Sequence, residues 1–475
     1  LIQQNTEVPW PEFFIRIEGS SLISLPHESP LGDHNFIFGI ATSSFQIEGA
    51  STTDGRLASI WDQFCQKPGA IKDGSNGDIA CDHYHLWRQD LALIAELGVD
   101  SYRFSIAWPR VMLKNGELNP VGVAFYQSIL SELERLNIKA FVTLYHWDLP
   151  QYLEDEGGWL NRNTAYAFAD YADKITQALK GPVYSWATLN EPFCSAYLGY
   201  QYGIHAPGLV GEAYGKKAAH HLLLAHGLGM QVLRKNCPNS LNGLVLNFAP
   251  CYPASPSPED EAAARLADDH NNQWFIQPVI EGCYPDLLAQ LPIEHRPDIL
   301  PGDMELISAP LDFLGVNYYS RAVYKDHQET GYQQWLPSQV ELTAMGWEVY
   351  PQGLTDLLVQ LHQRYKLPDI YITENGAATD DHLVDGQVND EQRVRYLQTH
   401  LEAVHEAALQ GVPLKGYFAW SLMDNFEWAE GYLKRFGLVY VDYQTQQRIK
   451  KQSAIALQQM LAGRKALAQN QIGEI

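Results

Sequence analysis

Two glutamates sit in settings that invite acid–base chemistry. Glu191 follows the run Trp186-Ala187-Thr188-Leu189-Asn190 and precedes Pro192, while Glu374 follows Ile370-Tyr371-Ile372-Thr373 and precedes Asn375-Gly376. A carboxyl that ends an apolar run lies against a poorly hydrated wall, where its charge is costly and its pKa moves. Two such carboxyls flanking one bond can divide the work, one protonated to supply a leaving oxygen and one ionised to attack carbon. Other apolar runs also end in polar or aromatic residues. These are Gln46-Ile47-Glu48, Arg103, His146-Trp147-Asp148, Asn317-Tyr318-Tyr319, Trp420, Asp424, Glu427 and Trp428. Any one of them alone reads as a satisfied polar group at a strand exit. Their recurrence at the same point of successive units reads instead as a pocket for a ligand rich in hydroxyls. The 12 Trp and 26 Tyr fit either sugar stacking or ordinary core filling, so only their positions decide between the two.

The elements that carry these residues alternate. Short apolar runs at 36–46, 101–108, 140–147, 183–192, 242–250, 312–319, 370–376 and 414–425 read as strands. Helical periodicity separates them at 87–97, 121–136, 164–179, 213–235, 258–280, 353–365 and 390–410, with a last stretch at 450–461. Strands without polar alternation, each followed by a helix, signal a parallel sheet covered on both faces. Eight such units predict one closed (β/α)8 TIM barrel of the α/β class. The surplus over a minimal barrel falls after strand 1 (48–83), strand 4 (196–212) and strand 6 (320–350). Loops there enlarge the C-terminal face, where barrel enzymes place their sites. The expected organisation is an N-terminal extension of unassigned role at 1–33, a catalytic barrel at 34–465 and a tail at 466–475.

Composition removes several function classes. Lys and Arg number 33 against 56 Asp and Glu, a net charge of −23, so no nucleic-acid partner and no docking to an anionic membrane is expected. No run reaches the roughly 18 apolar residues of a spanning helix. The six cysteines lack a CxxC pair, which suits thiols in a reducing compartment. His83, His85, His220 and His221 have no further ligands at zinc spacing, and Gly227-Leu228-Gly229 lacks the third glycine of a dinucleotide loop. No metal and no organic cofactor is expected. The first thirty residues hold Glu7, Glu12 and Glu18 and no basic-then-apolar leader pattern. A cytoplasmic location is therefore expected, with a periplasmic or secreted one left open, and a homo-oligomer is also left open.

Taken together, Ser44-Phe45-Gln46-Ile47-Glu48-Gly49, Tyr102-Arg103-Phe104-Ser105, His146-Trp147, Thr188-Leu189-Asn190-Glu191-Pro192, Asn317-Tyr318-Tyr319, Ile372-Thr373-Glu374-Asn375-Gly376 and the segment from Trp420 to Trp428 resemble glycoside hydrolase family 1, the β-glucosidase family, over about 36–461. The resemblance implies that Glu191 is the general acid/base and Glu374 the nucleophile. A pair about 5 Å apart would then retain the β configuration. It further implies that Arg103 and Tyr319 hold the nucleophile and that Asn190 bonds the 2-hydroxyl. Gln46, His146, Trp147, Asn317, Glu427 and Trp428 would line the sugar site, with Trp420 as its floor and Trp347 as a platform for the aglycone. Glu191 stands where thioglucoside-cleaving members carry Gln, and a carboxylate at Glu427 would repel a 6-phosphate. Phe45 and Phe193 depart from the usual Tyr and Trp; Phe193 and Cys194, beside Glu191, bear on aglycone preference and product inhibition. The expected substrate is a small β-glycoside, a cello-oligosaccharide or an aryl or alkyl β-glucoside, cleaved from its end. A β-galactosidase, β-fucosidase or transglycosylating member, or a non-catalytic sugar-binding barrel, are the alternatives.

Overall fold

The computed structural model describes residues 22–26 and 28–473. Eight strands, β1 (Ile37–Ala41), β2 (Ser101–Ser105), β3 (Lys139–Tyr145), β4 (Ser185–Asn190), β5 (Leu241–Phe248), β6 (Phe313–Tyr318), β7 (Asp369–Asn375) and β8 (Leu414–Trp420), are buried over almost their whole length. Each pairs in parallel with its sequence neighbours, and β8 returns to β1, so the sheet closes as the expected (β/α)8 barrel. Burial on both faces leaves neighbouring residues in different cores. Leu244 and Leu246 of β5 pack outward with Leu222, Leu223, Leu354 and Leu358 of the surrounding helices, whereas Val245 points into the lumen.

The lumen is filled rather than hollow. The Phe141 ring lies 4.8 Å from Phe418, 5.4 Å from Tyr371 and 6.5 Å from Phe313. Glycine makes room for these rings: a Cβ on Gly39 would come within 2.2 Å of Phe418. Alternating large and absent side chains is how a barrel packs its interior.

The boundaries differ from expectation where side chains compete with the ladder. The first run was expected to stay extended to 46, but β1 stops at Ala41 and Ser44–Ile47 turns as a helix. There the Thr42 hydroxyl meets Tyr102, and the Ser44 amide donates to the Ser105 hydroxyl instead of a strand carbonyl. Gln46 therefore sits on a helical turn. The helix expected at 258–280 is broken into Pro258–Asp268, a π-helical turn Asp269–Gln273 and Trp274–Glu281. The amides of Asn272 and Gln273 donate to the Asp268 carboxylate across that turn. The last helix starts at Gln452 and runs to Gly473, while Arg448–Lys450 pairs with Val439–Val441 as a small hairpin.

The loops leaving the C-terminal ends of β1, β4 and β6 have structure of their own. They contain the helix Ile60–Phe64, the π-helical segment Cys194–Gln201, and the strands Ala322–Lys325 and Gln333–Gln334. Of the expected extension at 1–33, residues 1–21 and 27 lie outside the described residues, as do 474 and 475 of the expected tail. Within 22–33, Ile23 and Leu31 are buried, and Ser24 and Ser29 bond Gln398 and His405 of the helix Glu391–Leu409. Among the described residues no helix is long and apolar enough to cross a membrane.

A buried ionic cluster ties the loops after β7 and β8 to the last helix. Lys451 Nζ lies 2.5 Å from Asp381 and 2.6 Å from Asp424; Arg393 pairs with Asp381 and Asp390, and Arg435 with Asp424. Three cations balance three carboxylates, so deleting one leaves an uncompensated buried charge. Lys451→Met should lower the unfolding free energy by about 3–5 kcal/mol. The double variant Lys451→Met/Asp381→Asn should recover part of that loss, as read by urea denaturation.

Candidate active site

The polar residues at the C-terminal mouth form one connected network, and two strand irregularities aim them there. The pairing register shifts between Ala187 and Asn190 in β4 and between Ile372 and Glu374 in β7. Simple alternation would point Leu189 inward, yet Leu189 belongs to the outer core and Asn190 faces the mouth. A bulge re-aims a side chain in this way at little cost to the ladder. Just beyond, Glu191 holds a φ of 48°, a left-handed conformation uncommon for a residue with a side chain, and Trp147 and Trp428 share that feature at 74° and 52°.

Arg103, buried on β2, joins the two sides. Its Nη1 donates to Glu374 Oε1 at 2.7 Å and its Nη2 to Asn190 Oδ1 at 2.6 Å. Tyr319 donates its hydroxyl to Glu374 Oε2 at 2.6 Å. Across the mouth, Asn317 Nδ2 donates to Glu191 Oε1 at 2.6 Å and to Asn190 Oδ1 at 3.1 Å, and Cys194 Sγ lies 3.2 Å from Glu191 Oε2. Both asparagines have fixed orientations. Thr373 donates to Asn317 Oδ1 at 2.6 Å, and Asn190 Oδ1 is occupied, which turns Asn190 Nδ2 toward His146 Nε2 at 3.2 Å.

Beside this network lies an aromatic wall. Trp428 packs against Phe45, Trp61, Trp147 and His146 with ring centroids 4.6–6.0 Å apart. Trp420 stacks on His146 at 6.0 Å, and the Trp147 indole N–H donates to the Asn190 carbonyl. Gln46 Nε2 donates to Asn425 at 2.9 Å and to Glu427 at 3.3 Å. Trp347, 37% exposed, stands outermost, 5.5 Å from the Tyr319 ring. His146 Nδ1 is buried without a hydrogen-bond partner among the described residues, a polar atom that a ligand hydroxyl would satisfy.

Electrostatics separates the carboxyls. Burial, reinforced by the charge of Glu374, pushes Glu191 up to about 8, while Asn317, Cys194 and Arg103 pull the other way. Burial and then the charges of Glu374, Glu430 and Glu191 push Glu427 up to about 8. Burial, followed by the Arg103 charge, holds His146 well below the usual imidazole range, so the ring is neutral. Burial and the Glu374 charge raise Tyr319 well above its usual value and keep it a donor.

The structure brings all thirteen expected site residues into this cluster. Several other polar strand-exit residues serve the scaffold instead. Glu48 pairs with Arg110 at 2.8 Å, Asp148 accepts from Ser44, Asp424 belongs to the ionic cluster, and Asn375 bonds Tyr318, Tyr396 and Tyr417. Thr373 and Asn425 were not anticipated. A threonine inside an apolar run was the available signal for the first; no local pattern marks the second.

Set beside known proteins, this geometry has a family. Residues 30–465 match the model of Glycosyl hydrolase family 1. The chain belongs to that family. A relative named β-glucosidase from Agrobacterium sp. is 46% identical over 427 residues, 88% of this chain and 93% of the relative. β-Glucosidase A of Thermotoga maritima is 44% identical over 422 residues, 88% of this chain and 95% of the relative. A solved structure described as β-glucosidase from Thermotoga maritima in complex with deoxynojirimycin superimposes with a TM-score of 0.88 at 42% identity. That match covers 91% of this chain and 98% of the other.

The raised carboxyls have a measurable consequence. A folded-state pKa of about 8 for Glu427 lies above its ordinary 4.5, so the folded form holds the extra proton between those values. Stability contributed by that proton is complete below pH 4.5 and is lost as pH rises through about 8. Glu427→Gln, which cannot ionise, should therefore gain on the wild type as pH is raised from 5 to 8, measured as the difference in urea midpoint.

Proposed function

We propose that this family 1 enzyme is a retaining, exo-acting β-glucosidase that removes terminal glucose from small β-glucosides by double displacement. One observation carries the reading: of two carboxyls in a single buried network, Glu374 has a cation and a phenol bonded to it, and Glu191 has no cation of its own and a pKa near 8. Glu374 is the nucleophile and Glu191 the acid/base. A glutamate oxygen of Glu374 attacks the anomeric carbon as the bond to the aglycone breaks, and the Glu191 proton goes to the leaving oxygen. The ionised Glu191 then takes a proton from water, which attacks the same carbon and displaces Glu374, and two inversions return the β configuration. Forming the glycosyl ester neutralises Glu374, while Arg103 keeps its bond to Asn190 Oδ1 and with it the orientation of that amide. His146, Gln46, Glu427 and Trp428 supply polar and aromatic contacts for the glycone, Trp420 its floor, and Trp347 a platform for the aglycone. The curated relatives named β-glucosidase favour glucose as the glycone.

Residues 34–465 form the catalytic unit in this reading. Six cysteines without disulfides suit a reducing compartment, and the cytoplasm is the location we infer.

Glu374→Ala should lose essentially all turnover on 4-nitrophenyl β-glucoside and regain it with azide as the α-glucosyl azide. A β-azide product would exchange the two roles. Glu191→Gln should reduce kcat/KM on cellobiose by about 10²–10⁴-fold while largely sparing 2,4-dinitrophenyl β-glucoside, whose leaving group needs no proton. Equal losses on both substrates would remove Glu191 as the acid.

A further inference from the structure

The partners of Glu191 are not equivalent. Asn317 cannot turn its amide over, because its Nδ2 also faces Asn190 Oδ1 at 3.1 Å, an oxygen that Arg103 holds as an acceptor, while its Oδ1 accepts from Thr373 at 2.6 Å. It therefore offers Glu191 Oε1 an N–H at 2.6 Å and nothing that accepts a proton. When Glu191 is protonated, Oε1 must remain the carbonyl oxygen and the proton must sit on Oε2. The partner of Oε2 is the Cys194 thiol, at 3.2 Å, and a thiol both donates and accepts.

We propose that Cys194 is a positioning residue for Glu191, its thiol donating to Oε2 in the carboxylate form and turning to accept the carboxyl proton in the acid form. This rests on Glu191 being the proton-transferring group of the proposed reaction. The local backbone is built for it. Cys194 N donates to the Glu191 carbonyl at 3.0 Å, and Cys194 opens the π-helical segment Cys194–Gln201. π-Helical turns recur at functional sites because the extra residue redirects side chains. That segment is held from beneath by the buried Lys216, which bonds the Tyr197 hydroxyl and lies 3.8 Å over the Trp274 ring. Burial and the Glu191 charge keep Cys194 well above the usual thiol range, so its hydrogen remains available to either partner.

The other ionisable groups that face Glu191 come from different elements. They are Glu374 from β7, Arg103 from β2, and Tyr319 and Glu427 from the loops after β6 and β8. Substituting Cys194 leaves all of them in place, so a change in the alkaline limb reports the thiol alone.

The test is the pH profile of kcat/KM on cellobiose for Cys194→Val and Cys194→Ser. Valine keeps the bulk and removes both bonds; the one to the charged carboxylate is the stronger, so its loss outweighs that of the acid-form bond and the alkaline limb should move up by about 0.5–1 pH unit. Serine restores a donor and acceptor and should keep the limb at or below that of the wild type. A valine limb that coincides with the wild type reduces Cys194 to packing and overturns the proposal, as does a serine limb that moves up with valine. Independently of how either variant folds, the wild-type infrared S–H envelope of the six thiols should contain a component that shifts as Glu191 titrates and that is missing from Glu191→Gln; the same pH dependence in both proteins, or none in the wild type, overturns the proposal. The leaving-group dependence of Glu191→Gln separates failure here from failure of the Glu191 assignment itself.

Discussion

Arg103 places a permanent positive charge inside a barrel whose interior is packed mainly with aromatic rings, aliphatic groups and a few hydroxyls. A guanidinium taken out of water costs several kcal/mol unless its donors are met by a counter-charge and directed acceptors. Glu374 supplies the charge and Asn190 the acceptor. Much of the site's geometry follows from that demand. With its oxygen committed to Arg103, Asn190 must present its amide hydrogens to His146 and the open pocket. Asn317, bonded to the same oxygen, is directed onto Glu191. The planar fork fixes two directions at once, which a lysine at this position would not do.

The same network separates two chemically identical side chains by small differences of surroundings. Glu374 and Glu191 are both buried at the ends of barrel strands, and both accept two hydrogen bonds. Glu374 receives its bonds from a cation and a phenol, Glu191 from a neutral amide and a weak thiol donor. That difference in donor strength, together with the negative charge already on the opposite side, keeps the pair's one proton on Glu191. The rigid loops behind them, including the ionic cluster around Lys451, hold the surrounding wall without entering the chemistry.

Much of this was legible in the sequence because barrel strands are short, apolar and regularly spaced. The eight runs fell on the eight strands, and the residues at their ends fell on the mouth. What could not be read was which of those polar residues turn inward. Glu48, Asp148, Asn375 and Asp424 sit at comparable points to Gln46, His146, Glu374 and Glu427, yet they are consumed by Arg110, Ser44, a trio of tyrosines and Lys451. Their partners lie tens to hundreds of residues away, so no local pattern reveals them. The bulges at Asn190 and Glu374 were invisible for a related reason: alternation in sequence assumes an unbroken pleat. The Ser44–Ile47 turn, likewise, depends on hydroxyls finding Ser105 and Tyr102 across the barrel.

The ring of Phe141, wedged among Phe313, Tyr371 and Phe418, makes the barrel a cul-de-sac. Traffic is therefore one-way in and the same way out. A long glucan cannot thread through and be cut repeatedly as it slides; its end must enter, lose one sugar and withdraw. The freed glucose is then the deepest occupant and the last to leave, so it stands in the path of the next chain end. Competition between the spent sugar and fresh substrate is built into the shape of the closed barrel, before any detail of the residues at its rim.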